Sequence, residues 1–354
     1  MRILVTGHRG YIGSLTTASL TAAGHEVIGL DTGFFEVCAD ASERPIDARD
    51  VRDVRAAELA GLDAVVHLAA LSNDPLGALD PSLTLRINRD ATVTLAVAAK
   101  AAGVGRFVFA SSCSMYGAAG SGKPVDEESP LRPLTTYAES KVRSEEALFA
   151  LADASFSPIC MRNATAYGVS PRLRVDLVLN NLVGWALTTN TVRVLSDGSP
   201  WRPLVHVQDI ARATLALLEA PRELVHAEAV NVGADSENYR VRDLAEIVAE
   251  TVPGSSIEYA GSVDPDPRSY RVSFGKLRRM LPDLELTWDA RAGARELLAE
   301  YRRVGLSSAG FGGERYNRVA CLRGSLASGA LDEDLRWIEG SGAAAGRASA
   351  AAPA

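Results

Sequence analysis

The 354-residue sequence predicts an α/β protein built on a doubly wound parallel sheet. Three observations carry that expectation. Short apolar runs alternate with helical stretches through the first seventy residues. A spaced glycine triplet separates the first of those runs from the helix after it. The chain is 47% hydrophobic but only 6% aromatic, which suits a layered core rich in Ala, Val and Leu.

The elements follow in chain order. "RILVTG" at 2–7 is a short apolar run suited to a strand buried on both faces, and "SLTTASLTAAG" at 14–24 is a helix that stops at Gly24. "HEVIGLD" at 25–31 is a second strand and "LDAVVHLAA" at 62–70 a later one. Between the first strand and first helix lies "GHRGYIG". There Gly7 permits a tight turn, Gly10 the close approach of a pyrophosphate, and Gly13 close packing of helix on sheet. The helix N-terminus attracts the phosphate charge. Asp31 ends the second strand about 20 residues downstream, where a dinucleotide fold places its ribose-binding carboxylate. This is the pattern of a Rossmann-type domain. A carboxylate at 31 repels an added 2′-phosphate and so favours NAD over NADP; Arg9, inside the glycine loop, is the one residue that points the other way.

Composition removes other classes. Asp and Glu number 44 against 37 Lys and Arg, a net charge of −7, so neither nucleic acid nor an anionic membrane surface is expected as a partner. Cys38, Cys113, Cys160 and Cys321 show no CxxC spacing and do not cluster with histidines, so no disulfide framework and no metal site are expected. The N-terminal apolar run is too short for a signal peptide, and no 18-residue apolar stretch occurs. The expectation is a reduced, cytoplasmic protein.

"TTYAESKVRSEEAL" at 135–148 opens a charged helix with Tyr137 and Lys141 four positions apart, on one face, so that phenol and ammonium can meet the same object. A free tyrosine titrates near pH 10 and is a poor base at neutral pH unless a cation stabilises its phenolate. Alone, such a pair is common on amphipathic helices.

Together, "TGHRGYIG", "HLAA" at 67–70, "SSCSMYG" at 111–117 and "YAESK" at 137–141 resemble the extended short-chain dehydrogenase/reductase family, in particular its NAD-dependent nucleotide-sugar epimerases and dehydratases. The resemblance covers about residues 1–290. It implies Tyr137 as acid/base, Lys141 as holder of the nicotinamide ribose and depressor of the phenol's pKa, and Ser112 as the catalytic hydroxyl. For NAD it implies contacts from Gly7, Arg9, Gly10, Tyr11, Ile12 and Gly13, from Asp31, and from Leu68, Ala69, Ala70 and Ser111. Asp50 and Val51 resemble the pair that reads adenine, although the overlapping "DARD" at 47–50 leaves their register open. Asn88 resembles the asparagine that steadies the active-site helix.

In the second half, "RNATAYG" at 162–168 resembles the family's RxxNxYG segment, but Thr165 stands at the asparagine position and an asparagine appears at Asn163. "NNLVGWAL" at 180–187 places Asn181 and Leu182 against the sugar-nucleotide diphosphate and base. In "GSPWRPLVHVQDIARA" at 198–213, Arg202 resembles the diphosphate ligand, for which a guanidinium fork is well shaped, while Pro203 replaces the aspartate that usually supports it. Arg268 is a second phosphate candidate, Tyr270 resembles a residue gating the sugar pocket, and Ser114 joins the substrate side. His206 in "LVHV" and Cys113 read as buried structural residues.

The resemblance implies a Rossmann domain at 1–170 with segments returning around 200–232, a smaller discontinuous α/β substrate domain from 171–199 and 233–300, and a cleft between them. A helical extension at 301–340 and a disordered tail at 341–354 are expected beyond it, the tail because it lacks large apolar residues. The implied partner is a nucleotide sugar and the implied assembly a homodimer. Epimerisation at C4 through a transient ketosugar leads. Hexose 4,6-dehydratases usually carry Asp-Glu after the catalytic hydroxyl, where this chain has Cys113 and Ser114. A dehydratase, a dehydrogenase or ketoreductase, and a non-catalytic NAD-binding protein stand as alternatives.

Overall fold

The computed structural model describes residues 1–36, 48–72, 74–118, 122–261 and 268–338. The expected tail at 341–354 and Cys38 lie outside the described residues. Strands β1 (Arg2–Thr6), β2 (Glu26–Leu30), β3 (Ala64–His67), β4 (Arg106–Ser112) and β5 (Ser157–Asn163) alternate with helices. They are followed by β6 (Thr165–Tyr167), β7 (Thr191–Val194), β8 (Trp201–His206), β9 (Glu228–Val232), β10 (Asn238–Arg240) and β11 (Ser256–Tyr259).

Six strands form one sheet in the order β2-β1-β3-β4-β5-β9, with every neighbouring pair parallel. Ile3, Leu4 and Val5 of β1 are all buried, as are the four residues of β3, because helices cover both faces. On one face the helix Tyr11–Ala22 packs on Val207–Glu219; on the other lie Ala91–Ala101 and the residues around Leu148 and Phe156. The first helix closes where the sequence predicts: Gly24 adopts φ +86°, and the amides of Gly24 and His25 return to the carbonyls of Thr21 and Leu20. Since β2 and β3 flank β1 on opposite sides, the strand order reverses beside β1, and a crevice opens at the carboxyl ends of β1 and β3.

A second core gathers Tyr167, Leu182, Val183, Leu204, Leu244, Val248, Leu297 and Tyr301 between the helices Val178–Thr189, Val241–Thr251 and Ala290–Arg303. It carries a three-stranded sheet, β10-β8-β6, and a parallel pair, β11-β7. Tyr270, Val272, Phe274 and Leu277 pack instead on the core of the six-stranded sheet. Helices Ser308–Gly312 and Arg318–Ala327 follow, and the segment up to Trp337 folds back onto Phe34, Leu71, Leu83 and Ile87. Among the described residues, no helix is long and apolar enough to cross a membrane.

Candidate active site

A cavity of about 950 Å³ runs along the carboxyl ends of β1, β3, β4 and β5 and continues between the two cores. Its wall contains every site residue expected from the sequence except Asn88. Asn88 lies one layer behind: its Oδ1 accepts from the Leu71 amide at 2.8 Å, and its Nδ2 donates to the Leu71 carbonyl at 3.1 Å and the Ser140 hydroxyl at 3.3 Å. It braces the helix that carries Tyr137 without facing the cavity.

The glycine loop is built for close approach. Gly7 has φ +70°, and a Cβ on Gly13 would sit 2.0 Å from the Gly7 carbonyl oxygen, so only glycine lets the helix start this near the strand. Its N-terminus, capped by no side chain, opens at Gly10 on the cavity wall. Asp31 is on the wall with its carboxylate accepting the amides of Arg9 at 3.1 Å and Gly33 at 2.8 Å. The Arg9 guanidinium is bidentate on Glu36, at 2.8 and 2.7 Å, and the same carboxylate takes Arg172 at 3.1 Å. Arg9 is thus engaged by a carboxylate, which weakens its claim as a 2′-phosphate ligand. Asp50 is chelated by Arg52 and approached by Arg336 at 3.3 Å, so on this wall it holds protein groups as well as facing the cavity.

At the other end, β4 and β5 pair in a register that sets Ser112 opposite Asn163. The Thr135 hydroxyl caps the next helix by accepting the Ala138 amide and donates to Asp74 at 2.6 Å. In the first turn of that helix Tyr137 stands beside Ser112 on the cavity wall. Burial, with Asp74 adding to it, pushes the Tyr137 phenol up to about 12 against the downward pull of Ser112 and Arg174. The expectation that Lys141 lowers the phenol is therefore not met by the protein alone. The Lys141 ammonium is turned to the Ala110 carbonyl at 2.7 Å and lies 5.7 Å from the Tyr137 ring centre. Burial lowers Lys141 itself to about 8, against the opposing pull of Glu145. Glu145 in turn is locked to Arg162 at 2.7 Å, which fastens the helix to β5.

Arg202 lacks an aspartate at 203; its Nη1 donates to the carbonyls of Trp201, at 2.9 Å, and Arg268. Arg268 pairs with Asp74, which ties the two halves of the wall together. Tyr270 is buried, with its ring 6.4 Å from that of Tyr116. Asn181 donates to the Val175 carbonyl at 3.0 Å. Cys113 is buried with its thiol pushed up by burial and donating to the Arg162 carbonyl. His206 caps a helix, stacks on Trp288 and meets Glu296 at 2.9 Å. Both act structurally, as their apolar settings suggest.

Sequence reasoning missed Glu36, Asp74, Arg174, Asp176 and Arg318 on the wall. Arg174 is buried, bidentate on Asp176 at 2.9 and 2.7 Å, and 5.8 Å from the Tyr11 ring centre. The charges at 172, 174 and 176, in "PRLRVDL", interrupt an apolar stretch, which was a signal that they enter a polar cavity.

The cavity fits a dinucleotide on the protein's own evidence. The glycine cradle admits backbone-close ligand atoms, and Ser111 Oγ, Ser114 Oγ and Asn163 Oδ1 are buried on the wall without a hydrogen-bond partner. The model of the NAD dependent epimerase/dehydratase family matches residues 3–233. A UDP-glucose 4-epimerase of Mycolicibacterium smegmatis is 31% identical over 321 residues, covering 87% of this chain and 95% of that protein. Among solved structures, MoeE5 in complex with UDP-glucuronic acid and NAD is similar with a TM-score of 0.72 and 28% identity, over 86% of this chain and all of that one. DesIV, a dTDP-glucose 4,6-dehydratase from Streptomyces venezuelae with NAD and TYD bound, has a TM-score of 0.72 and 29% identity, over 86% and 97% of the two chains. With the match running through β1, the glycine loop, the Ser112–Tyr137–Lys141 cluster and on to β9, this chain belongs to the NAD-dependent epimerase/dehydratase family of enzymes, whose cofactor is NAD.

Proposed function

We propose that this enzyme interconverts the C4 epimers of a nucleotide sugar through a transient 4-ketosugar. The observation that carries the reading is the end of β4. Tyr137 and Ser112 stand together there on the cavity wall, while the two following positions hold a buried thiol and a buried hydroxyl instead of a carboxyl pair. Elimination of water needs an acid for the leaving hydroxyl and a base for the C5 proton, and neither Cys113 nor Ser114 is of suitable strength.

NAD, when bound, would supply reversible hydride transfer with a sugar carbon and, in its oxidised form, a ring charge that would favour the phenolate. The chain's own residues do the rest. Gly7, Gly10 and Gly13 with the amides of the first helix would hold the pyrophosphate, and Asp31 the adenosine ribose. Lys141 and Ser111 would hold the nicotinamide end. Tyr137 takes the proton of the sugar hydroxyl at its phenolic oxygen and gives it back, with Ser112 orienting the exchange. Arg202 and Arg268, both braced on the far wall, would fix the diphosphate while the ketosugar turns its other face to the hydride. Asn181, Leu182, Asn163 and Thr165 complete that half, the Thr165 hydroxyl standing where the family has an amide. The reading includes a homodimer and a reducing, cytoplasmic compartment, the compartment supported by the buried thiols of Cys113 and Cys160, which are in no disulfide.

The test is incubation with a panel of nucleotide sugars, with and without added NAD, and with a substrate deuterated at C4. The expected result is a C4 epimer that keeps its label, with no net NADH. Recovery of a 4-keto-6-deoxy sugar with deuterium at C6 would overturn the proposal.

A further inference from the structure

The C-terminal extension is the part of the chain that neither the sequence reading nor the family match accounts for. Its first helix, Ser308–Gly312, packs on the second core through Phe311 and Trp185, and the part from Arg318 onward packs against the segments that border the adenosine end of the cavity. The Trp337 indole N–H donates to the Thr32 carbonyl at 2.7 Å, just after Asp31, and its ring lies 6.1 Å from that of Phe34. Leu322, Leu331 and Leu335 are buried with Phe34, Leu71, Leu83 and Ile87. Arg52 donates to the carbonyl of Asp334 at 2.8 Å, Arg336 meets Asp53 at 3.1 Å, and Arg86 meets the Asp334 carboxylate at 2.7 Å. Three stretches distant in sequence, 32–35, 50–53 and 83–87, are thereby cross-linked by one.

The extension also reaches the cavity itself. Arg318, at the first turn of the helix Arg318–Ala327, is only 4% exposed and lines the wall. Its guanidinium lies 3.8 Å from the centre of the Phe35 ring, and Phe34 and Phe35 are wall residues too. Arg318 also acts on Asp176, the carboxylate that Arg174 holds, so it belongs to the same group of charges on this wall as Arg174. Against a dianionic ligand in a partly desolvated cavity, a further cation on the wall is worth more than it would be in water.

We propose that the extension, residues 307–338, is part of the cofactor site: it shores up the Thr32–Phe35 wall, supplies Arg318 as a cation toward the dinucleotide, and keeps NAD resident between turnovers. This rests on the reading that the cavity holds NAD. Residence suits a reaction in which the hydride is returned to the same substrate, since each turnover then restores the cofactor and exchange gains nothing. A dehydrogenase that consumes NAD has the opposite need.

The test follows exchange of bound NAD for radiolabelled NAD in the full-length holoenzyme, comparing wild type with Arg318→Gln and Trp337→Phe. Both variants are conservative in volume, and circular dichroism checks their folding. The expected result is slow exchange in wild type and exchange about tenfold faster or more in each variant, with Arg318→Lys recovering part of the retention. Exchange at the wild-type rate in both variants, or a wild type that exchanges as fast as it turns over, would overturn the clasp while leaving NAD binding intact. A wild-type chain that takes up no NAD would overturn the cofactor reading, and the clasp with it.

Discussion

Replacing Lys141 by Met should separate catalysis from stability, because the ammonium works against folding at the pH where we propose that it serves the reaction. The side chain is 3% exposed, and burial brings its pKa from 10.5 to about 8. A shift of that size corresponds to roughly 3 kcal/mol of unfavourable burial of the charge. The sign follows from proton counting. Between about pH 8 and 10.5 the unfolded chain binds the proton and the folded chain does not, so stability rises with pH across that window. Below pH 8 both states carry the proton, and the full cost is present. Methionine has similar length and no charge, so it removes the cost but leaves the Ala110 carbonyl without its 2.7 Å donor, a loss of about 1–3 kcal/mol. The net change at pH 7 is therefore near zero or slightly stabilising, while turnover falls by roughly two to four orders of magnitude through loss of the group that orients cofactor and phenol. Denaturant melts at several pH values give the test: the stability of wild type minus that of Lys141→Met should climb by roughly 3 kcal/mol from pH 8 to 10.5. A flat or falling difference, or a variant several kcal/mol less stable at pH 7, would refute the reasoning.

Tyr137→Phe keeps the ring and removes only the hydroxyl beside Ser112, so NAD binding and folding should survive while turnover drops by roughly two to four orders of magnitude; near-wild-type rates would take Tyr137 out of the mechanism. Asp31→Ala removes the carboxylate that accepts the Arg9 and Gly33 amides and faces the cavity, so the preference for NAD over NADP in binding titrations should narrow on the order of tenfold. An unchanged ratio would move the selection elsewhere.

What could be read before folding is what local chemistry governs. A strand buried on both faces must be apolar throughout, a helix seated against a strand end must begin with glycine, and a phenol and an ammonium four residues apart must share a helical face. Hence β1, the Gly7–Gly13 loop, Asp31 and the Tyr137–Lys141 pair were visible in "RILVTG", "GHRGYIG", "HEVIGLD" and "YAESK". Those segments carry their meaning within a turn or two of chain, and the cavity wall assembled from them as expected.

The tertiary structure decided everything that depends on partners brought from far away or on exclusion of water. Arg9 looked like a candidate phosphate ligand until Glu36 and Arg172 closed around it. Arg202, without its aspartate, is held by carbonyls at 201 and 268. Tyr137 was expected to be acidified by a cation one turn away, yet burial and Asp74, 63 positions upstream, set its proton affinity in the opposite direction. Asn88 acts from behind the wall through Leu71 and Ser140. The last forty described residues carried no motif at all, because their meaning lies in the surface they cover: "EDLRWIE" says nothing about Thr32 until the chain returns to it across 305 positions. The sequence by itself determined which elements form and which residue types meet at the strand ends; the fold determined the charge each of them carries and what holds it in place, since both are set by desolvation and by contacts that no spacing along the chain encodes.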